Sequence, residues 1–425
     1  MRHKKYRLHL STWAIPALYA ATAIAAGLAF PRFESRIFPG LVHPASVSVA
    51  IALYSSIASG MLALTGIVFA FTFLMVQFSA TNYSPRLVLW VARDPVISHA
   101  LGIFTATFLY ALSALGAVAR NGSETVPFIS AYVVVGLVVA SVAMFIALVH
   151  RITLLRVNHM LIFTGDQGRK VIATIYPSLK SEVTAVGMDD FRALPRTQTL
   201  IHHGRPHSVQ AVDAAALVNL AKASGGIIEM VVAVGDTIVE LMPVFHIFGG
   251  REPIDERKLR EGVDFGEERT FEQDPKYAIR LLVDTAIKAL SPAINDPTTA
   301  VQALDQIEDL LLRLGQRHLE IGRYRDSDDK LRLVIPFPTW DDLVRLAFDQ
   351  ICWYGATSAQ VMRRMNALIA DLTRAVPEER RATLAYWGAR LKTAIARSFA
   401  DDEERLDASM EDRQGFGVAR QHSPT

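Results

Sequence analysis

A chain of 425 residues is long enough for two or three domains. It is 51% hydrophobic and 20% charged, and its formal net charge of +2 gives no reason to expect nucleic-acid binding. The one cysteine, Cys352, excludes an intramolecular disulfide. The averages hide a division, because residues 11–155 nearly lack charged side chains while residues 160–425 have an ordinary soluble composition. The sequence therefore predicts a membrane part followed by a soluble part.

Hydropathy predicts an α-helical transmembrane domain over residues 1–160. Its four apolar runs, each long enough to cross a bilayer, lie at about 12–30, 47–78, 97–119 and 128–150. The first run also has the outline of a signal peptide, but its length and the three runs after it favour an uncleaved helix.

The distribution of basic residues predicts the orientation of these helices. The amino terminus, the 79–96 loop and the segment after the fourth run hold more Lys and Arg than the two other loops. By the positive-inside rule, both termini are expected in the cytoplasm.

The second span carries the candidate functional residues. Small and hydroxyl side chains occur along it at Ser55, Ser56, Ser59, Gly60, Thr65 and Gly66. A candidate cytoplasmic mouth follows at Gln77, Asn82 and Arg86. Small residues at four-residue spacing permit close helix packing, whereas hydroxyls can also line a pore. Both interpretations are compatible in a homo-oligomer whose copies surround a central axis.

Several functional classes lose support. The predicted spans contain no Asp, Glu, Lys or Arg, which argues against a proton-driven transporter. No nucleotide-binding loop, nucleophile elbow or zinc-protease motif occurs, so we expect neither an enzyme nor a cofactor. A histidine cluster, His202, His203 and His207, could hold a metal, but a solvated loop without a metal is the favoured interpretation.

The remaining chain predicts a cytoplasmic α+β domain. Residues 161–206 read as a helical extension and linker, and 207–250 as a small β-rich, barrel-like module. Residues 267–400 read as mainly helical, and 401–425 as a disordered tail.

A short motif joins two predicted helices in this helical part. Asp-Pro pairs at Asp274 and Asp296 open the helices, with the aspartate as N-cap and the proline in the first turn. The candidate structural motif between them comprises Ser291, Pro292, Asn295, Asp296 and Pro297. Capping is the favoured role, and a ligand or cation site at the second helix start is the alternative.

Two segments, Lys288–Ile307 and Gln77–Val88, together resemble an uncharacterised bacterial family of predicted membrane proteins, domain of unknown function 2254. The resemblance extends from the first span to about residue 400. It implies four membrane spans, expected in the inner membrane of a bacterial cell, and a cytoplasmic carboxy-terminal domain, and it implies no activity.

Two functions remain open on the sequence. The first is an oligomeric channel for small ions or solutes, lined by the second span and gated by the cytoplasmic domain; Arg86 would then favour anions at its mouth. The second is a membrane-anchored scaffold or sensor whose cytoplasmic domain binds a partner or ligand. The bilayer and further copies of the chain are the expected partners, and any soluble partner is left unidentified.

Overall fold

A computed structural model describes residues 14–37, 42–43, 47–82, 95–120, 126–153, 157–179 and 190–418. The chain divides into two compact units, Met1–Arg156 and Val157–Thr425. We call them the membrane unit and the soluble unit and describe each by itself.

The membrane unit is a bundle of four helices. They are α1 (Ala14–Ile37), α2 (Val47–Asn82), α3 (Pro95–Arg120) and α4 (Phe128–Thr153). Two short antiparallel strands, β1 (Val42–His43) and β2 (Val126–Pro127), pair with each other. Helix α3 packs against the three other helices, so it is the centre of the unit.

Three of these helices are long and apolar enough to cross a membrane. The qualifying segments are Val47–Leu74, Pro95–Gly116 and Ile129–His150. In α1 the apolar part, Ala14–Phe30, is shorter. The membrane-helical class is thereby confirmed, while the fourth span of the sequence-based prediction is not.

Glycines bring α1 and α3 close together. A Cβ built on Gly27 would lie 2.6 Å from Ser113 Cβ, and one built on Gly102 would lie 2.6 Å from the Tyr19 ring. Any larger residue would separate the helices, as expected where small residues mediate packing between membrane helices.

The soluble unit contains two sheets. The five-stranded sheet has the order β3 (Arg196–Ile201), β7 (Pro243–Gly249), β5 (Gly226–Met230), β10 (Leu331–Val334) and β9 (Arg323–Arg325). The three-stranded sheet has the order β6 (Thr237–Ile238), β4 (His207–Val212) and β8 (Val263–Gly266). Helix α6 (Ala214–Ser224) follows β4 and begins at the N-cap Asp213, whose side chain accepts a hydrogen bond from Ala216 N.

The barrel-like module predicted at 207–250 is not confirmed. Its strands are shared between the two sheets, and neither sheet closes into a barrel within the described residues. The reason is long-range pairing: Ile228 of β5 pairs with Leu333 of β10 in parallel, and Val209 of β4 pairs with Phe265 of β8. Local periodicity cannot reveal partners so distant in sequence.

Helices make up the rest of the soluble unit. They are α5 (Val157–Ile175), α7 (Glu256–Glu261), α8 (Pro275–Ala289), α9 (Pro297–Gly315), α10 (Trp340–Tyr354), α11 (Ala359–Ala375), α12 (Arg381–Ser398) and α13 (Asp402–Ala408). Thr339 and Asp342 form a complete capping box at the start of α10.

Helix α5 is fitted tightly onto α8 and α9. A Cβ on Gly168 would lie 2.9 Å from both Ala278 Cβ and Leu310 Cδ1, and one on Gly165 would overlap Gln306. Arg169 adds an ion pair to Asp309 at 2.7 Å. Since both glycines lie where no side chain fits, α5 and the two helices form one packed layer.

The carboxy-terminal segment differs from the predicted disordered tail. Residues 401–418, which we call the strap, include α13 and lie on α11. Arg363 donates hydrogen bonds to Asp407 O and Gly415 O, and Arg413 pairs with Asp371 at 2.9 Å. The strap is thus held mainly by polar contacts, which hydropathy does not detect. Residues 419–425 lie outside the described residues.

Candidate functional site

Helix α2 has one buried face and one broad exposed face. Its buried residues, among them Ala50, Tyr54, Met61 and Val68, recur at helical spacing and pack in the cores shared with α3. The apolar side chains on this face of α2 stabilise the folded bundle by packing in its core.

Most of the predicted small and hydroxyl residues lie on the exposed face. Ser55, Ser56, Ser59, Gly60 and Gly66 are all exposed within a single chain. A Cβ on either glycine would meet no atom within 4 Å. Thr65 is half-buried instead, and its hydroxyl donates to Met61 O at 2.7 Å. The exposed residues therefore do not serve packing inside one copy of the bundle.

The exposed face contains a regular line of residues, which we call the outer seam. Eight exposed positions follow one another at alternating spacings of four and three: Ala52, Ser56, Ser59, Ala63, Gly66, Ala70, Phe73 and Gln77. An alternation of four and three is the repeat by which helices pack in a left-handed supercoil. Six of the eight side chains are Ala, Ser or Gly, which allow backbones to approach closely in a membrane.

The exposed face of α4 has a different composition. Its large exposed side chains are Tyr132, Val135, Val139, Val142, Phe145, Ile146 and Val149. Such residues are typical of a surface that faces lipid, since lipid tails interact favourably with bulky apolar groups. Small residues also follow this spacing on α4, at Gly136, Ala140, Ala143 and Ala147, but Ala140 is half-buried and the line is half as long as the outer seam.

The predicted cytoplasmic mouth is only partly described. Gln77 is an exposed residue near the end of α2, and Asn82 is the last residue of the helix. Arg86 lies in 83–94, outside the described residues, so its role stays a prediction.

The sequence analysis missed a buried polar cluster in the membrane unit. Glu34, assigned to a loop from the sequence, lies in α1 and is buried. Its carboxylate accepts hydrogen bonds from Ile129 N at 2.7 Å and Ser130 N at 3.3 Å, at the start of α4. Tyr110 Oη lies 3.2 Å from Ser130 Oγ, and the Tyr54 hydroxyl is directed towards the same group. The segment from Phe30 to Ile37 continues α1 beyond its apolar part. A helix extended through this segment would have placed Glu34 in α1.

A second polar contact crosses the same bundle. The hydroxyls of Thr107 on α3 and Ser141 on α4 are buried and lie 2.9 Å apart. Each also lies 2.8 Å from a backbone carbonyl, Thr107 from Ile103 O and Ser141 from Leu137 O, so one hydroxyl donates to the other and the second donates to its carbonyl. This pair satisfies its own hydrogen-bonding capacity and joins two helices.

The three loop histidines bind protein acceptors. His202 and His207 donate to Arg205 O at 2.9 and 2.7 Å, and His203 Nδ1 lies 2.8 Å from Glu240 Oε1. Within the described residues, no group of three or more His, Cys, Asp or Glu side chains is arranged to hold a metal ion. The geometry thus gives the histidines roles in shaping the loop.

The motif between α8 and α9 serves as a helix connection. Asn295 adopts a left-handed conformation with φ of 48°, and its backbone N–H donates to Ser291 O at 2.8 Å. Asp296 caps α9 by accepting from Thr299 N at 3.1 Å, and Pro297 occupies the first turn. Pro292 is exposed in the connection. These contacts account for the polar residues as caps and turn formers.

Comparisons with known proteins identify related sequences without an assigned activity. The family model described as predicted membrane protein, DUF2254, matches residues 9–371. An uncharacterized protein of Mycobacterium bovis is 26% identical over 415 residues, which cover 93% of this chain and 78% of that protein. Uncharacterized proteins from two strains of Mycobacterium tuberculosis match over the same shares at 26% and 25% identity. No solved structure matches this chain.

Proposed function

Because the chain belongs to the DUF2254 family of predicted membrane proteins, we propose that it is an integral inner-membrane protein that forms a homo-oligomeric channel for small ions or solutes, gated by its soluble unit. The observation that carries the proposal is the outer seam of α2. It is long, regular, composed mainly of small residues and unused within one copy.

Four spans are part of the proposal. Three helices have the length and composition of membrane spans. Helix α1 supports a fourth, because it is 24 residues long and packs closely on α3 through Gly27 and Gly102. With four spans and the excess of basic residues described above, both termini lie in the cytoplasm.

Assembly occurs through contact between α2 helices of different copies. In a membrane, burial of apolar surface does not drive helices together, so association depends on close packing. The outer seam offers this packing along residues 52–77, a length of about 38 Å at the rise of an α-helix. Its four-three repeat favours parallel copies that cross at about 20°.

A pore follows when more than two copies surround one axis. The Ser56 and Ser59 hydroxyls would then line the lumen. The other small side chains of the seam would occupy little of its cross-section. Phe73 is the one large residue of the seam. It would form the narrowest apolar ring, next to the ring of Gln77.

The soluble unit is suited to control such a pore. Three residues separate the end of α4 at Thr153 from the start of α5 at Val157. Gly165 and Gly168 fix α5 to α8 and α9, so a rearrangement of these helices moves α5 as one piece. The short covalent connection transmits that movement to α4.

The test is flux through liposomes that contain the purified full-length protein. We expect flux of at least one small ion, with K⁺, Na⁺ and Cl⁻ as probes, and a loss of flux in Gly66→Leu because a bulky seam residue separates the copies. Gly136→Leu is the matched control, since Gly136 lies on α4, is exposed and has no neighbouring atom within 4 Å of its Cβ position.

Absence of flux for all three ions contradicts the channel and favours the membrane-anchored scaffold or sensor. Equal flux in Gly66→Leu and the wild-type protein contradicts the placement of the pore at the outer seam.

A further inference from the structure

We propose that the membrane unit binds a small monovalent cation, such as Na⁺ or K⁺, at the buried cluster of Glu34, Tyr54, Tyr110 and Ser130. We call this group the oxygen cluster. Its four side chains come from four different helices, so an ion bound there would join the whole bundle. The inference does not depend on the oligomer or on the pore.

The oxygen cluster is a built site at one end of the bundle. Glu34 lies in the last turns of α1, Tyr54 in the first turns of α2, and Ser130 in the first turn of α4. Tyr110 comes from the half of α3 that ends at the same side. Strands β1 and β2 pair at this end of the bundle. Val42, between α1 and α2, pairs with Pro127, just before α4.

One member of the cluster lacks a partner. The Tyr54 side chain is 1% exposed and directed towards Ser130, Tyr110 and Glu34. Its hydroxyl lies near Ser130 but makes no hydrogen bond of ordinary length and angle with any residue that the structure describes. An unsatisfied buried hydroxyl costs about 1–3 kcal/mol, so a missing ligand is a physical explanation for its position.

The cluster has more acceptor capacity than donors. A carboxylate offers about four lone-pair positions, and Glu34 uses two of them for Ile129 N and Ser130 N. Each hydroxyl of Tyr54, Tyr110 and Ser130 can also accept. The group best suited to this surplus is a cation, which can be coordinated by several oxygens at once.

Charge and ligand type indicate which cation fits. The start of α4 offsets about half of the carboxylate charge through its backbone N–H groups. A divalent ion would require more carboxylates, and a transition metal would favour nitrogen or sulfur ligands. One carboxylate with three hydroxyls suits a small monovalent ion. Tyr110 Oη and Ser130 Oγ share a hydrogen bond at 3.2 Å, and each oxygen retains a lone pair with which it can coordinate an ion.

The test is thermal unfolding of the purified full-length protein in detergent at constant pH and ionic strength. NaCl or KCl replaces choline chloride in steps, because choline is too large for the site. We expect a saturable upward shift of the unfolding midpoint, since a ligand that binds only the folded state stabilises it.

Two variants locate the effect. Tyr54→Phe removes only the unpartnered hydroxyl, so it should fold normally and bind the ion at least about fivefold more weakly, which is the order expected for one lost ligand. Glu34→Gln should lose the response. Tyr19→Phe is the control, because its hydroxyl lies 3.3 Å from His99 Nδ1 and outside the cluster.

Three results would overturn the proposal. The first is an equal midpoint in sodium, potassium and choline salts. The second is an unchanged ion response in Tyr54→Phe, which would place the ion elsewhere. The third is an unchanged ion response in Glu34→Gln, which would exclude the carboxylate as a ligand of the ion.

Discussion

At the scale of single residues, the turn at Gly235 shows how a glycine holds two parts of the soluble unit together. Gly235 has φ of 88°, and a Cβ there would overlap Asp274 Oδ2 and lie 2.8 Å from Arg269 Nη2. Asp274 is buried, pairs with Arg269 at 2.6 Å and caps α8. Burial raises the pKa of this carboxyl, and the neighbouring Arg269 opposes that shift. The turn therefore rests directly on a buried ion pair.

We expect Gly235→Ala to destabilise the soluble unit strongly. Left-handed strain in a residue other than glycine costs about 1–3 kcal/mol, and the overlap with Asp274 adds to it. Gly225→Ala is the matched control, because Gly225 has φ of 74° and no atom within 4 Å of its Cβ position. Urea unfolding followed by tryptophan fluorescence should show a greater loss for Gly235→Ala. Equal losses would mean that the turn yields without disturbing the ion pair.

Single residues also show what the sequence could predict. Asp274 and Asp296 act as N-caps as predicted, because capping depends on residues within one turn. Glu34 was missed because its burial depends on α4, about 95 residues later in the chain. The alternation of exposed small residues in α2 was present in the sequence, but the exposed face could be identified only once α3 covered the other side.

At the scale of elements, the strap joins the end of the chain to α11 through charges. Arg413 of the strap pairs with Asp371 of α11, which Arg374 of the same helix also contacts, and Arg363 of α11 pairs with Asp407 of the strap. Hydrogen bonds from Arg413, and next from Arg374, lower the pKa of Asp371 to about 2. The attachment is therefore linked to the charge of one carboxylate.

The strap should loosen in acid. A carboxyl whose folded pKa lies below its ordinary value near 3.8 contributes stability that is present above that value and is lost as pH falls towards about 2. We expect the protection of the amides in residues 402–418 against hydrogen exchange, relative to the unfolded chain at the same pH, to fall between about pH 4 and pH 2. Asp371→Asn should give faster exchange at neutral pH and a weaker dependence on acid. Unaltered exchange in this variant would mean that Arg363 alone holds the strap.

Element boundaries were predictable where the signals were local. The structure places the starts of α8 and α9 where the Asp-Pro pairs predict them. The sheets were not predictable, because β5 pairs with β10 and β4 with β8 across long intervals of chain. The strap was not predictable either, since its attachment by Arg363 and Arg413 has no hydrophobic signature.

At the scale of the whole molecule, the central claim is that copies of the chain meet at the outer seam. The length of the outer seam supports it: eight exposed positions follow the four-three spacing on α2, whereas the small residues at that spacing on α4 run only from Gly136 to Ala147 and include the half-buried Ala140. A bundle that folded merely as an anchor would have no use for this repeat. Oligomer, pore and gating all depend on contact between α2 helices.

Disulfide crosslinking in native membranes tests this contact most directly. The chain is well suited to it, because its one cysteine, Cys352, is buried and burial raises the thiol pKa. In a Cys352→Ala background, Ser59→Cys and Ala63→Cys place thiols on the outer seam. Leu53→Cys and Phe69→Cys are exposed controls on either side of it.

The account predicts that mild oxidation produces covalent dimers from Ser59→Cys and Ala63→Cys and few or none from the two controls. It would be contradicted if the seam variants remained monomeric, or if all four positions crosslinked equally.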